Sequence, residues 1–254
     1  MENALLIGLS RQMTLHREID VVANNIANLN TTGYKADNAV FEEYLMPGAS
    51  ADQFAKQDRG VSFVQDRSTW HDLSQGALDR TGSPLDVAID GPGFLVVQTP
   101  RGERYTRNGA LQLNASGQLV TTEGFQVIGE NGPITLQAQD RDIMISKQGS
   151  VNVREGIGAA DAVRGKIRLV SFGDRQQLQK DGSSTFMAPA GVQPQVLQNP
   201  SIIQGALEKS NVRSVIEMTR MIEITRNYTQ VAGLLQNQSD MRRNSIDKLA
   251  EVPA

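Results

Sequence analysis

Hydrophobic residues in the first 35 positions follow the period of an α-helix. Five of them repeat at alternating intervals of four and three residues, which predicts a helix over residues 4–29 with one apolar seam. The residues after it, Asn30-Thr31-Thr32-Gly33, favour a turn, because Gly33 accepts positive φ. The seam consists of Leu15, Ile19, Val22, Ile26 and Leu29.

The end of the chain, residues 211–254, returns to the helical period. Apolar and small residues three and four positions apart predict a second helix over residues 212–249, which no proline interrupts. Three polar positions make this second seam imperfect. The seam consists of Met218, Met221, Thr225, Tyr228, Ala232, Leu235, Ser239, Arg242, Ile246 and Leu249.

The middle of the chain, residues 82–210, is patterned as an antiparallel β-rich domain. Fifteen of the 23 glycines lie at residues 82–182, between short runs rich in β-branched residues. Asn108-Gly109 and Asn131-Gly132 are typical of hairpin turns. The predicted strands are residues 85–89, 94–98, 104–107, 119–122, 125–128, 142–145, 151–154 and 166–172.

Residues 36–81 are polar and mixed, with breaks at Pro47-Gly48 and Arg59-Gly60. They predict an extended connector with room for one hairpin. The fold class is therefore α+β, with long helices at both chain ends and a β-rich centre. Two arrangements of the helices stay open: they bury their seams on each other within the chain, or against neighbouring chains.

Composition excludes several kinds of chemistry. The 254 residues include no cysteine, so disulfides, thiolate metal sites and cysteine catalysis are ruled out. A net charge of −3 without a basic patch argues against binding nucleic acid. No apolar run approaches the roughly 20 residues of a membrane-spanning helix. Glu2 stands where a secretory signal would be positive, so a cleaved signal peptide of the usual kind is not expected.

Candidate catalytic and ligand-binding residues are few. Ser68, His71, Asp72 and Ser74 are the right types for a hydrolase triad, but such neighbours in sequence favour a polar loop. His16 and Asp20 could share a metal only with a third ligand. The glycines of residues 156–161 lack the strand–helix context of a dinucleotide site. We expect no catalytic, metal or cofactor site.

Three segments resemble the bacterial flagellar rod and hook axial proteins. The first is the run from Ala23-Asn24-Asn25-Ile26 to Thr32-Gly33-Tyr34-Lys35. The second joins Leu85-Asp86-Val87-Ala88-Ile89-Asp90-Gly91-Pro92-Gly93-Phe94 to Tyr105-Thr106-Arg107-Asn108-Gly109. The third begins Gln204-Gly205-Ala206-Leu207-Glu208-Lys209-Ser210-Asn211-Val212. They occur in the order of the family and span nearly the whole chain.

The resemblance implies a structural subunit of the flagellar basal-body rod. The length and the opening Met1-Glu2-Asn3-Ala4 favour the proximal rod branch of alphaproteobacteria, with the distal rod and hook branches as alternatives. A cell-wall hydrolase near the rod is the alternative from a different class, and it would need a catalytic carboxylate or the Ser68 and His71 pair. The implied partners are copies of the chain itself, other proximal and distal rod proteins, and the flagellar type III export apparatus.

The same resemblance implies where the chain assembles. The terminal helices would form a coiled-coil-like inner layer of a rod that crosses the periplasm, and the β domain would lie outside it. The apolar positions expected at this interface are Leu15, Ile19, Val22, Ile26, Leu29, Met218, Met221, Tyr228, Ala232, Leu235, Ile246 and Leu249.

Polar and glycine positions in the signatures have separate expected roles. Asn24, Asn25 and Asn28 occupy a helix face on which side-chain amides can bond across to another helix, whereas Asn30 suits capping. Solvated amides are the alternative for all of them. Gly33 is expected to let the chain leave the helix sharply, and Gly91 and Gly93 to form a tight turn.

Overall fold

The computed structural model describes residues 2–47, 60–155, 161–182 and 184–250, and their side chains except at 2–5, 41–47, 60–68 and 249–250. These residues form two compact units. The helical unit contains the two long helices and the strand residues 37–47 and 60–70, and the β unit contains Asn28–Ala36 and His71–Val212. The turn after the first helix thus belongs to the β unit.

The helical unit is built on α1 (Glu2–Ala27) and α2 (Ser214–Ala250), close to the predicted spans. Two strands, β1 (Asp37–Pro47) and β2 (Gly60–His71), form a two-stranded sheet in the predicted connector. The helices pack on each other through Leu15, Val22 and Ile224, which are buried. Within the described residues, no helix combines the length and the apolar character needed to cross a membrane.

The described residues of the β unit form seventeen further strands, which pair antiparallel. The strands are β3 (Leu78–Arg80), β4 (Val87–Ile89), β5 (Phe94–Thr99), β6 (Gly102–Thr106), β7 (Leu111–Leu113), β8 (Leu119–Thr121), β9 (Gln126–Gly129), β10 (Gly132–Pro133), β11 (Asp140–Ile145), β12 (Ser150–Glu155), β13 (Asp161–Lys166), β14 (Leu169–Ser171), β15 (Gln179–Lys180), β16 (Thr185–Met187), β17 (Gln195–Val196), β18 (Ile202–Gln204) and β19 (Ala206–Glu208).

These strands form four sheets. The largest runs β15-β16-β6-β5-β9-β8-β7, with β10 beside β9 and β14 linking β5 to β17. A three-stranded sheet runs β11-β12-β13, and the last two strands pair with the first two as β18-β4 and β19-β3. Because β3 and β4 are among the first strands of the unit, these two pairings bring the beginning and the end of the unit together.

Two apolar clusters form the interior of the β unit. One lies around Leu95, Val97 and Val127, and the other around Phe94, Phe172 and Phe186. Neighbouring residues of β5 contribute to opposite clusters, since successive side chains of a strand point to opposite faces. This strand is therefore buried on both faces.

The structure corrects one predicted turn and adds short strands. Asn108-Gly109 does not join a hairpin, because β6 pairs with β5 and β16 whereas β7 pairs with β8. The carbonyl of Gly109 accepts instead from the Val87 amide at 3.0 Å. The hairpin at Asn131-Gly132 is confirmed by the pairing of β9 with β10. Residues 48–59 and 156–160, with the breaks at Gly48 and Arg59 and the glycines of the dinucleotide-like run, lie outside the described residues.

Candidate functional site

The seam between α1 and α2 uses a slightly different face of α2 from the predicted one. Ile224 is 4% exposed and packs with Leu15 and Val22, whereas the adjacent Thr225 is exposed. Further along α2, Val231 packs against this cluster. Large aliphatic side chains gain more from burial than Thr225, so they decide which face turns inward.

Some predicted seam residues take part in this contact, and others do not. Ile19, Ile26, Met221 and Tyr228 pack against the buried cluster, and Ala232 and Leu235 are half-buried. Met218 and Ile246 are exposed, Leu29 lies beyond the end of α1, and the side chain of Leu249 is outside the described residues. The helices therefore bury much of their predicted seams on each other, within one chain.

Polar contacts fix the register of the two helices. The Arg220 guanidinium pairs with the Glu18 carboxylate, with Nη2 2.9 Å from Oε1. Gln12 Nε2 donates to the Tyr228 hydroxyl at 3.1 Å. Gly8 lies against the Leu235 side chain, since a Cβ there would be 2.6 Å from Leu235 Cδ2. Glycine at this position permits the close approach.

The side chain of Asn25, predicted to bond across to another helix, reaches α2 of its own chain and also bonds to the backbone of β1. Its Nδ2 donates to the Asp37 carbonyl at 2.8 Å and to Glu217 Oε2 at 3.3 Å, and its Oδ1 accepts from the Asp37 amide at 2.9 Å. Asn25 is fully buried, and these three bonds use both N–H donors and one acceptor position of its amide. Asn24 is exposed, and Asn28 lies in the turn after α1, where its Oδ1 accepts from Thr31 Oγ1.

The outward faces of the helix pair carry large apolar side chains. On α1, Leu6, Leu9 and Met13 are exposed at intervals of three and four residues. On α2, Val215, Met218 and Ile222 have the same spacing, and Val215 is 76% exposed. Contiguous apolar surface of this kind marks interaction sites more often than monomer surface.

An apolar groove lies beside the first turns of α1 and the second half of α2. Its volume is about 1110 Å³. Its lining includes Ile7, Leu234, Leu235, Met241 and Ile246, with Arg11 and Arg242 as its charged residues. The predicted seam residues Leu235, Arg242 and Ile246 thus face this open groove.

A second group of polar residues is buried in the β unit. The Lys35 ammonium and the Glu208 carboxylate have no solvent exposure, and Nζ lies 2.5 Å from Oε1. Arg107 approaches the other carboxylate oxygen, with Nε 3.2 Å from Oε2. Burial lowers the pKa of Lys35 and also that of Arg107, and in both cases the nearby Glu208 carboxylate opposes the shift. We call these three residues the buried charge cluster.

Glycine residues of the signatures lie around this cluster. Gly33 has φ +68°, and a Cβ there would be 2.4 Å from the Asn108 backbone nitrogen. Gly91, with φ +113°, precedes β5 in the same bend as Gly93. The carbonyls of Gly91 and Gly93 both accept from Arg107 Nη1 at 2.7 Å. Both glycines thus hold the guanidinium of the cluster in place.

Three family models match the chain. The model described as "Flagella basal body rod protein" matches residues 5–35, and "Flagellar hook protein FlgE/F/G D1 domain" matches residues 88–153. The model described as "Flagellar basal body rod FlgEFG protein C-terminal" matches residues 203–248. They follow one another in the order of the three signature segments.

Curated relatives match over nearly the whole length. The flagellar basal-body rod protein FlgF of Caulobacter vibrioides is 39% identical over 255 residues, which cover 99% of this chain and 100% of the relative. The chain belongs to the flagellar basal-body rod protein family. FlgF of Mesorhizobium japonicum is 31% identical over 98% of each chain. FlgG of Agrobacterium fabrum is 32% identical over 92% of this chain and 93% of the relative.

Each matched segment of this rod-family chain contributes one member of the buried charge cluster. Lys35 ends the first segment, Arg107 lies in the second and Glu208 in the third. Sequence reasoning missed this cluster, although the three signature segments that it quoted contain all three residues. Each of the three signature segments thus supplies one residue of a buried ion-pair cluster inside the β unit.

Residues considered for catalysis or metal binding instead make packing contacts, hydrogen bonds within turns, or ion pairs on the surface. His71 is buried with its ring 6.0 Å from that of Phe186, and Asp72 Oδ1 accepts from the Ser74 amide. His16 Nδ1 lies 3.3 Å from Asp20 Oδ2 on the exposed side of α1. Among the described residues, no group of three or more histidine or acidic side chains could hold a metal ion.

Proposed function

We infer that this chain is a non-enzymatic structural subunit of the flagellar basal-body rod, which assembles through the outward faces of its terminal helices. Membership of the rod family supports the structural role. The observation that supports the assembly surface is the exposed apolar stripes on α1 and α2. Since the helices already pack on each other inside the chain, these outer stripes are the apolar surfaces left for neighbouring subunits.

The partners follow from the same surfaces. Copies of this chain and the other proximal and distal rod proteins are the proposed neighbours, and the proximal rod is the proposed position. Two relatives named FlgF support that position, because they align over 98% or more of this chain. Relatives named FlgG also align over most of it, so the distal rod is the alternative.

The proposed function also includes a location in the cell and an export route. The subunit would lie in the basal body where the rod crosses the periplasm, and it would pass through the flagellar type III export apparatus without a cleaved signal peptide. The resemblance of the signature segments supports this route. An enzymatic role as a cell-wall hydrolase has little support, because the His71 ring packs on Phe186 and Asp72 bonds within a turn.

The assembly surface can be tested with one exposed residue and a matched control. Ile222→Asp places a carboxylate in the exposed stripe of α2, and Gln230→Asp places one on an exposed polar position of the same helix. Each variant is expressed in a strain that lacks the native gene. Rod completion is followed by electron microscopy of isolated basal bodies, and motility by swimming in soft agar.

We expect Ile222→Asp to abolish rod completion and swimming, while Gln230→Asp supports both. A buried unpaired carboxylate costs several kcal/mol at each interface. Circular dichroism of the purified Ile222→Asp protein should match the wild type, because Ile222 is 62% exposed in the free subunit. Normal rods in the Ile222→Asp strain would show that this stripe is not an assembly surface.

A further inference from the structure

A nine-residue segment of the β unit, Asn28–Ala36, follows α1 directly and contains the turn of the first signature. Its main-chain bonds reach distant parts of the unit. The Gly33 amide donates to the Glu208 carbonyl at 2.8 Å, and the Ala36 carbonyl accepts from the Asp72 amide at 2.8 Å. We call this segment the strap.

Several side-chain contacts of the strap are polar. Thr32 Oγ1 donates to Asn108 Oδ1 at 2.7 Å, and the Ala36 amide donates to Asn211 Oδ1 at 2.8 Å. Lys180 Nζ lies 3.7 Å above the centre of the Tyr34 ring. Among the described residues, neither apolar cluster of the β unit includes a member of the strap. The strap therefore buries its one large ring, Tyr34, outside both clusters.

One charged side chain ties the strap to this core. Lys35 Nζ reaches Glu208 Oε1 at 2.5 Å and the Ser74 carbonyl at 2.6 Å, with no exposure to solvent. Glu208 Oε1 also accepts from the Gly76 amide at 2.9 Å, and its strand β19 pairs with β3. A buried ammonium without its carboxylate is strongly unfavourable, whereas the same ammonium is well solvated once the strap has left.

We propose that the strap can leave the β unit while the core of the unit stays folded, and that the match between Lys35 and Glu208 holds it closed. Leaving the unit releases the polar contacts of the strap and exposes Tyr34, but it opens neither apolar cluster. Because the strap joins α1 to β1, opening turns nine residues of the β unit into a loop of up to about 30 Å of extended chain between these two elements. The buried charge cluster thus acts as a clasp on the segment that follows the N-terminal helix.

Amide hydrogen exchange of the full-length protein tests the clasp. Glu208→Gln removes the matching charge and leaves Lys35 and Arg107 buried without a carboxylate. We expect the amides of Gly33 and Ala36 to exchange at least tenfold faster than in the wild type. The amides of Leu119 and Ile167, which bond within the core, should exchange at the wild-type rate. Lys209→Met is the control, because it removes a charge from an exposed pair with Asp79.

A second variant separates charge matching from loss of the glutamate side chain. Lys35→Met/Glu208→Gln removes both charges, and we expect it to return the Gly33 and Ala36 amides to within about threefold of their wild-type rates. Unchanged exchange of the strap in Glu208→Gln would overturn the proposal. So would equal acceleration of strap and core, failure of Glu208→Gln to fold, or a double variant whose strap stays open.

Discussion

At the scale of single residues, the signatures of this family combine backbone requirements with buried polar contacts. Gly33 needs a positive φ and lies against the backbone of residues 107 and 108, and Asn25 satisfies both polar groups of the Asp37 backbone. Both residues make their contacts inside the fold, since Asn25 is buried and Gly33 lies against backbone atoms. Both are therefore expected to affect the free subunit before any assembly takes place.

Gly33→Ala should destabilise the β unit far more than Gly82→Ala. Both glycines have positive φ, +68° and +74°, so each change costs about 1–2 kcal/mol for the left-handed conformation. Only Gly33 adds a clash, because its Cβ would lie 2.4 Å from the Asn108 nitrogen, while nothing lies within 4 Å at Gly82. Urea unfolding of both variants measures the difference. Equal losses would mean that the backbone around Gly33 moves aside freely.

Asn25→Ala should destabilise the free subunit, whereas Asn24→Ala should change its stability by less than about 0.5 kcal/mol. The first change leaves the Asp37 amide and carbonyl buried without Asn25, at about 1–3 kcal/mol for each group. Asn24 is exposed. Thermal unfolding followed by circular dichroism compares the two. If Asn25→Ala melted at the wild-type temperature, the bonds within the chain would contribute little to stability, and a role of this amide between chains would be favoured.

At the scale of secondary-structure elements, α2 has two apolar faces with different roles. One face packs on α1 through Ile224 and Val231, and the other leaves Met218 and Ile222 exposed. A helix with apolar residues on both sides buries one of them in its own fold and presents the other. Stability and assembly should therefore respond to different residues of one helix.

Ile224→Ala and Ile222→Ala separate these two roles with one chemical change. Ile224 is 4% exposed, so its truncation should cost about 2–5 kcal/mol and loosen the helix pair in the free subunit. Ile222 is 62% exposed, so its truncation should leave the unfolding free energy of the subunit nearly unchanged. Urea unfolding followed by far-ultraviolet circular dichroism measures both. A large loss of subunit stability in Ile222→Ala would show that this face is already packed.

At the scale of the whole molecule, stability depends on pH through buried and paired charges. The Arg104 guanidinium, with Nε 2.6 Å from Asp181 Oδ2, lowers the pKa of that carboxyl below its ordinary value of 3.8. The stabilisation from this ion pair is fully present above pH 3.8, and it is lost as the pH falls through the folded-state pKa of Asp181. Lys35, whose pKa is lowered by burial, has the same sign in an alkaline window: stability rises as the pH increases from the folded-state pKa towards 10.5.

Asp181→Asn should lower the stability of the β unit at neutral pH and flatten the acid side of its stability curve. Because the wild-type carboxyl also becomes neutral in acid, the two curves should converge as the pH falls from 3.8 through the folded-state pKa of Asp181. Arg101→Ala should have a smaller effect, since Arg101 is 75% exposed in its contact with Asp181. Urea unfolding over this pH range gives the curves. A constant difference at all pH values would assign the effect to packing.

Local patterns along the chain were enough for most of the secondary structure and for the family. The helical periods predicted both helices to within about two residues at each end, and the longer strands followed from runs of β-branched residues. Strands of two or three residues, such as β15 and β17, could not be recognised, because so short a run carries no alternation. The signature segments indicated the rod family without any coordinates.

Contacts between distant parts of the chain were decided only by the tertiary structure. Lys35 and Glu208 are 173 residues apart, and no spacing rule connects an ammonium to a carboxylate at that distance. They meet because β19 pairs with β3 and the strap crosses beside it. The choice of Ile224 over Thr225 for the helix seam also needed the position of α1. Periodicity is a local property, whereas burial depends on which surfaces the fold brings together.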